Sequence, residues 1–222
     1  MKLTTFPLPA FEIPSGQISV METGSQQFYQ DIISLFVGQS DNFRLFDDRD
    51  EPLNVNKDVM WVGNPMYELN YNIAFIKAIT KQLIAIMDDK TKTAIIDAER
   101  EKLRIVLESS FYLDVPLEVN NAISLESIIK SSGLRIDVPS DAGVCVRLNL
   151  LFKILMETNN QKLIVLTEIS HFVDEQDFAS LVEQVANSGL TILLIEFSEN
   201  SRRSFFDKCR YYYVDGDLVD FR

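Results

Sequence analysis

The turn Glu22-Thr23-Gly24-Ser25-Gln26-Gln27 lies where phosphate chemistry could occur, between a strand-like run and an amphipathic helix. A phosphate-gripping turn needs several glycine N–H groups, a lysine reaching the terminal phosphates and a Ser/Thr on magnesium. This turn offers one glycine, Gly24, no lysine before Gly38, and no Gly-Lys-Ser/Thr. An anion could still meet the helix N-terminus. Without the cation, phosphoryl transfer lacks its main electrostatic stabiliser. Glu168, after the apolar run Leu163–Leu166, stands where a magnesium-holding acid would sit, but one acid at a strand end makes no metal site.

A second set of chemistry-bearing residues is cationic. Lys77 and Lys81 are four apart and share a helix face, as do Arg100 and Arg104, with Lys102 nearby. Lys90 and Lys92 occupy the turn between the two helices. Residues 71–105 hold seven Lys/Arg against five Asp/Glu, whereas the other residues hold fourteen against twenty-eight. The bland reading is a solvated helix face. The functional reading is contact with a duplex backbone without sequence readout, because no aromatic residues interleave the cations to stack single-stranded bases.

A third set is acidic. Asp114, Glu118 and Glu126 lie close in sequence, and carboxylates so spaced can hold calcium in an irregular loop, although no contiguous calcium-loop motif is present. Asp215 and Asp217 read as a turn around Gly216, and Arg202-Arg203 as a surface pair open to DNA contact. The single histidine, His171, reads as a loop residue, and one histidine leaves almost no room for His-based metal or triad chemistry. Cys145 and Cys209 read as buried reduced thiols. Trp61 and Tyr211-Tyr212-Tyr213 read as core or sheet packing.

The elements that must position these residues alternate. Residues 2–22 predict two strands around Pro14-Ser15-Gly16, followed by a helix with Phe28, Ile32, Leu35 and Phe36 on one face. Phe43–Asp47 and Val59–Val62 predict short strands. From 71 to 108 glycine and proline vanish. Ile73, Ile76, Leu83 and Met87 form one helical stripe, Asp88-Asp89-Lys90 interrupts it, and Ile95, Leu103 and Val106 form another, with Thr93 as expected N-cap. This predicts a pair of antiparallel helices inserted into an α/β body. A helix over Ser124–Ser132 stops at Gly133, and Leu134–Val138 predicts a strand. Helix 142–157, strand 162–167, helix 174–187 capped by Asp174, strand 190–195 and strand 211–214 complete the chain, with a hairpin through Asp215–Asp217 to Leu218–Phe221. Continuous apolar strands alternating with helices predict a parallel sheet covered on both faces.

The chain has 222 residues, 46% hydrophobic content and a net charge of −12. It can bury a core, and taken alone its charge argues against a polyanionic partner. No run approaches the roughly 20 apolar residues of a membrane span, and the N-terminus lacks a signal-peptide core, so a cytoplasmic protein is expected.

Taken in order, several stretches resemble one family. They are "FPLPAFEIPSGQISVMET", "FRLFDDRDEPLNVNKDVMWVGNPMYELNYN", "SLESIIKSSGLRIDVPSDAG", "LLFKILMETNNQKLIVLTEISHFVDEQDFASLVEQVANSGLTILLIEFSEN" and "YYYVDGD". Their order and spacing are similar to those of the small ring-forming CRISPR-associated adaptation protein of type II-A systems. The resemblance implies an α/β head with a mostly parallel sheet, over 1–70 and 134–222. That head is related to P-loop ATPases but has a degenerate loop. A helical leg over 71–133 would be inserted into it. It implies a homotetrameric ring that threads linear double-stranded DNA from its ends through a basic central channel. Spacer acquisition with the integrase proteins and the RNA-guided nuclease is the implied role, with no enzymatic activity, no nucleotide and no membrane.

On this resemblance Lys130 and Arg135, around the "KSSG" turn, join Lys77, Lys81, Lys90, Lys92, Lys102 and Arg104 as expected DNA contacts; the leg cations among them come from the charge pattern. The alternatives are a nucleotide-binding switch and a protein-interaction scaffold using the leg. Family members commonly hold calcium through a carboxylate-dense run before the "KSSG" helix. Here Asn120, Asn121 and Ala122 stand where acids are expected, leaving Asp114, Glu118 and Glu126 as ligands.

Overall fold

The computed structural model of the protein describes residues 1–39, 42–66, 69–119, 123–139 and 141–221. The chain divides into two compact units, Met1–Leu69 with Pro139–Arg222, and Asn70–Val138. No helix among the described residues is long and apolar enough to cross a membrane.

The first unit begins with strands β1 (Lys2–Thr5), β2 (Leu8–Glu12) and β3 (Gln17–Thr23). Three strands stand where the sequence predicted two. The chain already turns at Phe6 and Pro7, and β1 and β2 pair as a hairpin away from β3. Helix α1 (Gln26–Phe36), strand β4 (Arg44–Phe46), the short helix α2 (Val55–Asp58) and strand β5 (Val59–Gly63) follow. After the second unit come α6 (Val144–Glu157), β6 (Leu163–Thr167), a 3₁₀ turn (Ile169–His171), α7 (Glu175–Ala186), β7 (Thr191–Phe197), β8 (Arg210–Val214) and β9 (Asp220–Phe221).

The main sheet runs β5-β6-β7-β3-β8-β9, parallel except for β9, which pairs antiparallel to β8. Strands β2-β1-β4 form a separate antiparallel sheet. One face of the main sheet, with Met21, Val165, Leu193 and Tyr212, joins Phe28, Ile32 and Phe36 of α1 and Leu3, Phe11 and Leu45 of the small sheet in one core. Alternate residues of the same strands, among them Val20, Ile164 and Leu194, are also buried. On that side Phe178 of α7 meets Phe206, which stacks on Tyr211. Both faces are therefore closed to water, which explains why these strands read as continuous apolar runs. The cap of α1 is Ser25, whose Oγ accepts the Phe28 N–H.

The second unit holds α3 (Tyr71–Ile86), α4 (Asp89–Ser110) and α5 (Leu125–Ser131). Helix α5 packs against both longer helices. The cap of α4 is Asp88, whose Oδ1 accepts the Thr91 N–H at 2.7 Å. Thr93, expected to cap, lies one turn inside and donates its hydroxyl to the Asp89 carbonyl. A carboxylate satisfies the N-terminal donors and also opposes the helix dipole, so Asp88 wins. Ser124 and Ser127 form a reciprocal capping box on α5, with the Ser127 N–H donating to Ser124 Oγ at 3.1 Å. Ser124→Ala is expected to cost about 1 kcal/mol, read as lowered stability of this unit in urea melts.

The strand expected over 134–138 does not form, and the chain returns to the first unit at Pro139. The Asn72 side chain stands in for a neighbouring strand: its Oδ1 accepts the Ile136 N–H at 2.7 Å and its Nδ2 donates to the Ile136 carbonyl at 3.1 Å.

Candidate functional site

Ligands in open parallel sheets bind outside the carboxyl ends of the strands. At that edge this chain places polar groups of its own. Glu22 on β3 and Glu196 on β7 are register partners, and both are fully buried. Two buried carboxylates side by side need a cation. Arg202, from the segment after β7, supplies it. Its Nε donates to Glu22 Oε1 at 2.6 Å, its backbone N–H to Glu22 Oε2 at 2.7 Å, and its Nη2 to Glu196 Oε2 at 3.2 Å. Nη1 donates to Ser170 Oγ at 2.6 Å, while Ser170 itself donates to both Glu196 oxygens. Tyr211 donates to Glu22 and holds Ser201 at 2.7 Å.

Arg202 is therefore a structural ion-pair residue and not the surface partner of Arg203 that the sequence suggested. The overlooked signal was a glutamate inside each of two apolar strands, "VMET" and "LLIEF", with an arginine shortly after the second.

The turn after β3 is also engaged with its own neighbours. The Gly24 N–H donates to the Val214 carbonyl at 3.0 Å, and the Ser25 N–H donates to Thr23 Oγ1 at 3.0 Å. A Cβ at Gly24 would meet Tyr213 Oη at 3.1 Å and the Ser198 carbonyl at 3.4 Å. Those two amides are committed inward and are not available to phosphate oxygens.

Burial pushes the Glu196 carboxyl above its ordinary value of 4.5, against the hydrogen bonds from Ser170 and the charge of Arg202, and Glu168 adds to the rise. Above 4.5 the folded chain keeps a proton that the unfolded chain has released. Stability from this group is thus present at low pH and lost as pH rises through the folded-state value. Glu196→Gln is expected to flatten that part of the melting-temperature profile against pH. Burial likewise raises the thiols of Cys145 and Cys209, the latter to about 12, and the two cysteines are unpaired and half-buried.

A neighbouring group completes the edge. Glu168, just beyond β6, accepts a hydrogen bond from Tyr29 on Oε1 at 2.6 Å and pairs with His171 through Oε2 at 2.9 Å. Burial and the bond to Glu168 raise the Tyr29 phenol. His171 belongs to the 3₁₀ turn and not to a loop.

The expected DNA contacts divide by their partners. Lys102 pairs with Glu99 at 2.6 Å, and Arg104 with Glu101 at 2.6 Å and with Glu108. Arg100 pairs with Asp97. These cations are neutralised along their own helix. Lys77, Lys81, Lys90, Lys92, Lys130 and Arg135 have no ion-pair partner among the described residues. Lys77 of α3 and Lys130 of α5 come together at a groove of about 430 Å³ whose lining includes Glu126, Thr80 and Ile129. Arg135 is exposed in the extended segment after Gly133.

Asp114, Glu118 and Glu126 are exposed and do not converge as a metal-competent group among the described residues. Asn120–Ala122, which interrupt their run, lie outside those residues. Calcium draws its six to eight oxygens from carboxylates, backbone carbonyls and waters gathered around one ion, and these three side chains are not gathered in that way among the described residues.

The sequence model of the CRISPR-associated protein (Cas_Csn2) family matches residues 37–218. No curated protein matches the chain. Among solved structures, Stu0660 of Streptococcus thermophilus is 13% identical with a TM-score of 0.62, covering 100% of this chain and 76% of that one. The two share a fold. A nucleotide-free ATP-binding cassette from an ABC transporter, 13% identical over 96% of this chain and 83% of its own, reaches a TM-score of only 0.48, below the level from which a common fold follows.

Proposed function

Because this chain belongs to the Cas_Csn2 family of CRISPR-associated proteins, we propose that it binds linear double-stranded DNA by its ends, without reading sequence. In this proposal four copies form a ring around a basic channel and support spacer acquisition in type II-A immunity beside the integrase proteins and the RNA-guided nuclease. The protein performs no chemistry on the DNA.

The observation that carries the reading is the division of charge. The helical unit, residues 70–138, holds nine Lys/Arg against ten Asp/Glu, whereas the remaining residues hold twelve against twenty-three. Within the helical unit, six of the eight nominated cations are free of ion pairs among the described residues, and Lys77 and Lys130 share one groove. Four such units around one axis would multiply a modest patch into a continuous lining for phosphates.

Exposed apolar side chains in the same unit, including Ile86, Ile105, Val106, Phe111 and Tyr112, are available for contact with further copies. The inward commitment of the turn after β3 favours this reading over a nucleotide switch. Calcium enters no step of it.

The test is competition between linear and covalently closed circular duplexes of one sequence, with and without ATP. A ring entered from an end retains the linear form strongly, the circle weakly, and neither changes with ATP. Equal retention of both forms would overturn end binding, and ATP-dependent retention would restore the switch.

A further inference from the structure

We infer that Glu168, His171 and Glu196 form a site for one divalent transition-metal ion of the zinc class, at the carboxyl ends of β6 and β7. The reading is independent of DNA binding. One ligand atom from each of the three residues lies within 4.8 Å of the others. Tetrahedral zinc with bonds of about 2.0–2.2 Å needs ligand separations of roughly 3.3–3.6 Å. His171 Nε2 and Glu168 Oε2 are already 2.9 Å apart. Separations of up to 4.8 Å must therefore contract on binding, and His171, the exposed member, is the one with room to move.

Three observations point to a metal beyond the mere presence of acids. First, the set includes the single imidazole of the chain. A mixed nitrogen and oxygen set suits zinc, cobalt or nickel, whereas calcium takes oxygens alone. Second, each carboxylate is already oriented. The Tyr29 hydroxyl holds Glu168 Oε1, leaving Oε2 toward the imidazole, and Ser170 holds Glu196 through its N–H and hydroxyl. Such outer hydrogen bonds fix metal-ligating carboxylates.

Third, the permanent cation of this edge is held chiefly by Glu22. Glu22, Glu168 and Glu196 face one permanent cation, Arg202, whose Nε and backbone N–H are committed to Glu22. The guanidinium also touches Glu196 Oε2 at 3.2 Å and is the group that opposes an incoming ion. A divalent ion would reach the set from the side of exposed His171, with water as a further ligand, and would displace any proton held by Glu196. Its effect would be to tie the 3₁₀ turn to the two strand ends.

The experiment uses the full chain, free of any polyhistidine tag and stripped with chelator. Zinc and calcium are titrated separately by calorimetry, and cobalt(II) is followed by its visible absorption. The expected result is one zinc per chain, a raised melting temperature, and a tetrahedral cobalt spectrum. In His171→Ala zinc affinity falls at least tenfold and the cobalt spectrum disappears, while the metal-free melting temperature is unchanged. Calcium produces no His171-dependent signal. Absence of stoichiometric zinc binding, or zinc binding of equal strength in His171→Ala, overturns the site.

Discussion

Replacing Arg202 with alanine is expected to destabilise the α/β unit by about 3–5 kcal/mol, because it strands two buried carboxylates without their cation. Glu22 and Glu196 are both fully buried, and Arg202 donates to each. The loss should appear as a melting temperature lower by roughly 10 °C or more for a unit of this size. Arg202→Met keeps much of the apolar stem and is expected to lose nearly as much, because the charge and not the packing is removed. Glu22→Gln combined with Arg202→Met should cost clearly less than the sum of the two single changes, since the pair is coupled. Additive losses would mean that Glu22 and Arg202 act independently of each other.

The second large effect concerns DNA. Reversing Lys77, Lys130 and Arg135 together to glutamate should weaken linear-duplex binding by roughly a hundredfold, taking about 1 kcal/mol per cation and about 1.4 kcal/mol per tenfold. The slope of log affinity against log salt should flatten by about 0.9 for each phosphate that is no longer neutralised. Assembly should be unchanged by sedimentation. Lys102→Ala with Arg104→Ala is the informative control. Those cations are already neutralised by Glu99, Glu101 and Glu108. Their removal should cost less than tenfold. Equal effects from the two sets would mean that overall charge, and not placement, governs binding.

Much of the fold was legible because it follows from local rules. Strands buried on both faces announce themselves as apolar runs, and α1, α5 and α7 begin at Ser25, Ser124 and Asp174, whose side chains cap them. Where the reading departed, a long-range contact decided one case and the choice between two nearby caps the other. Leu134–Val138 has strand-like composition, but Asn72 takes the hydrogen bonds of Ile136 that a strand partner would need. Thr93 is a good cap in isolation, yet Asp88 stands at the true end of the preceding turn.

The polar edge of the sheet was the hardest to read. Glu22 and Arg202 are 180 residues apart, and only the parallel register of β3 and β7 brings Glu22 beside Glu196. The cations of the helical unit were visible as a charge pattern. Which of them remain available was not, because intrahelical pairing depends on rotamers that residue spacing permits without dictating.

The most direct measurement is a structure of the assembled protein bound to a short linear duplex. The account predicts the duplex inside a closed ring of four chains, with Lys77, Lys130 and Arg135 within hydrogen-bonding distance of phosphate oxygens and no contact to base edges. A duplex lying on the outer surface, or an inner wall that is neutral or lined by carboxylates, would contradict it.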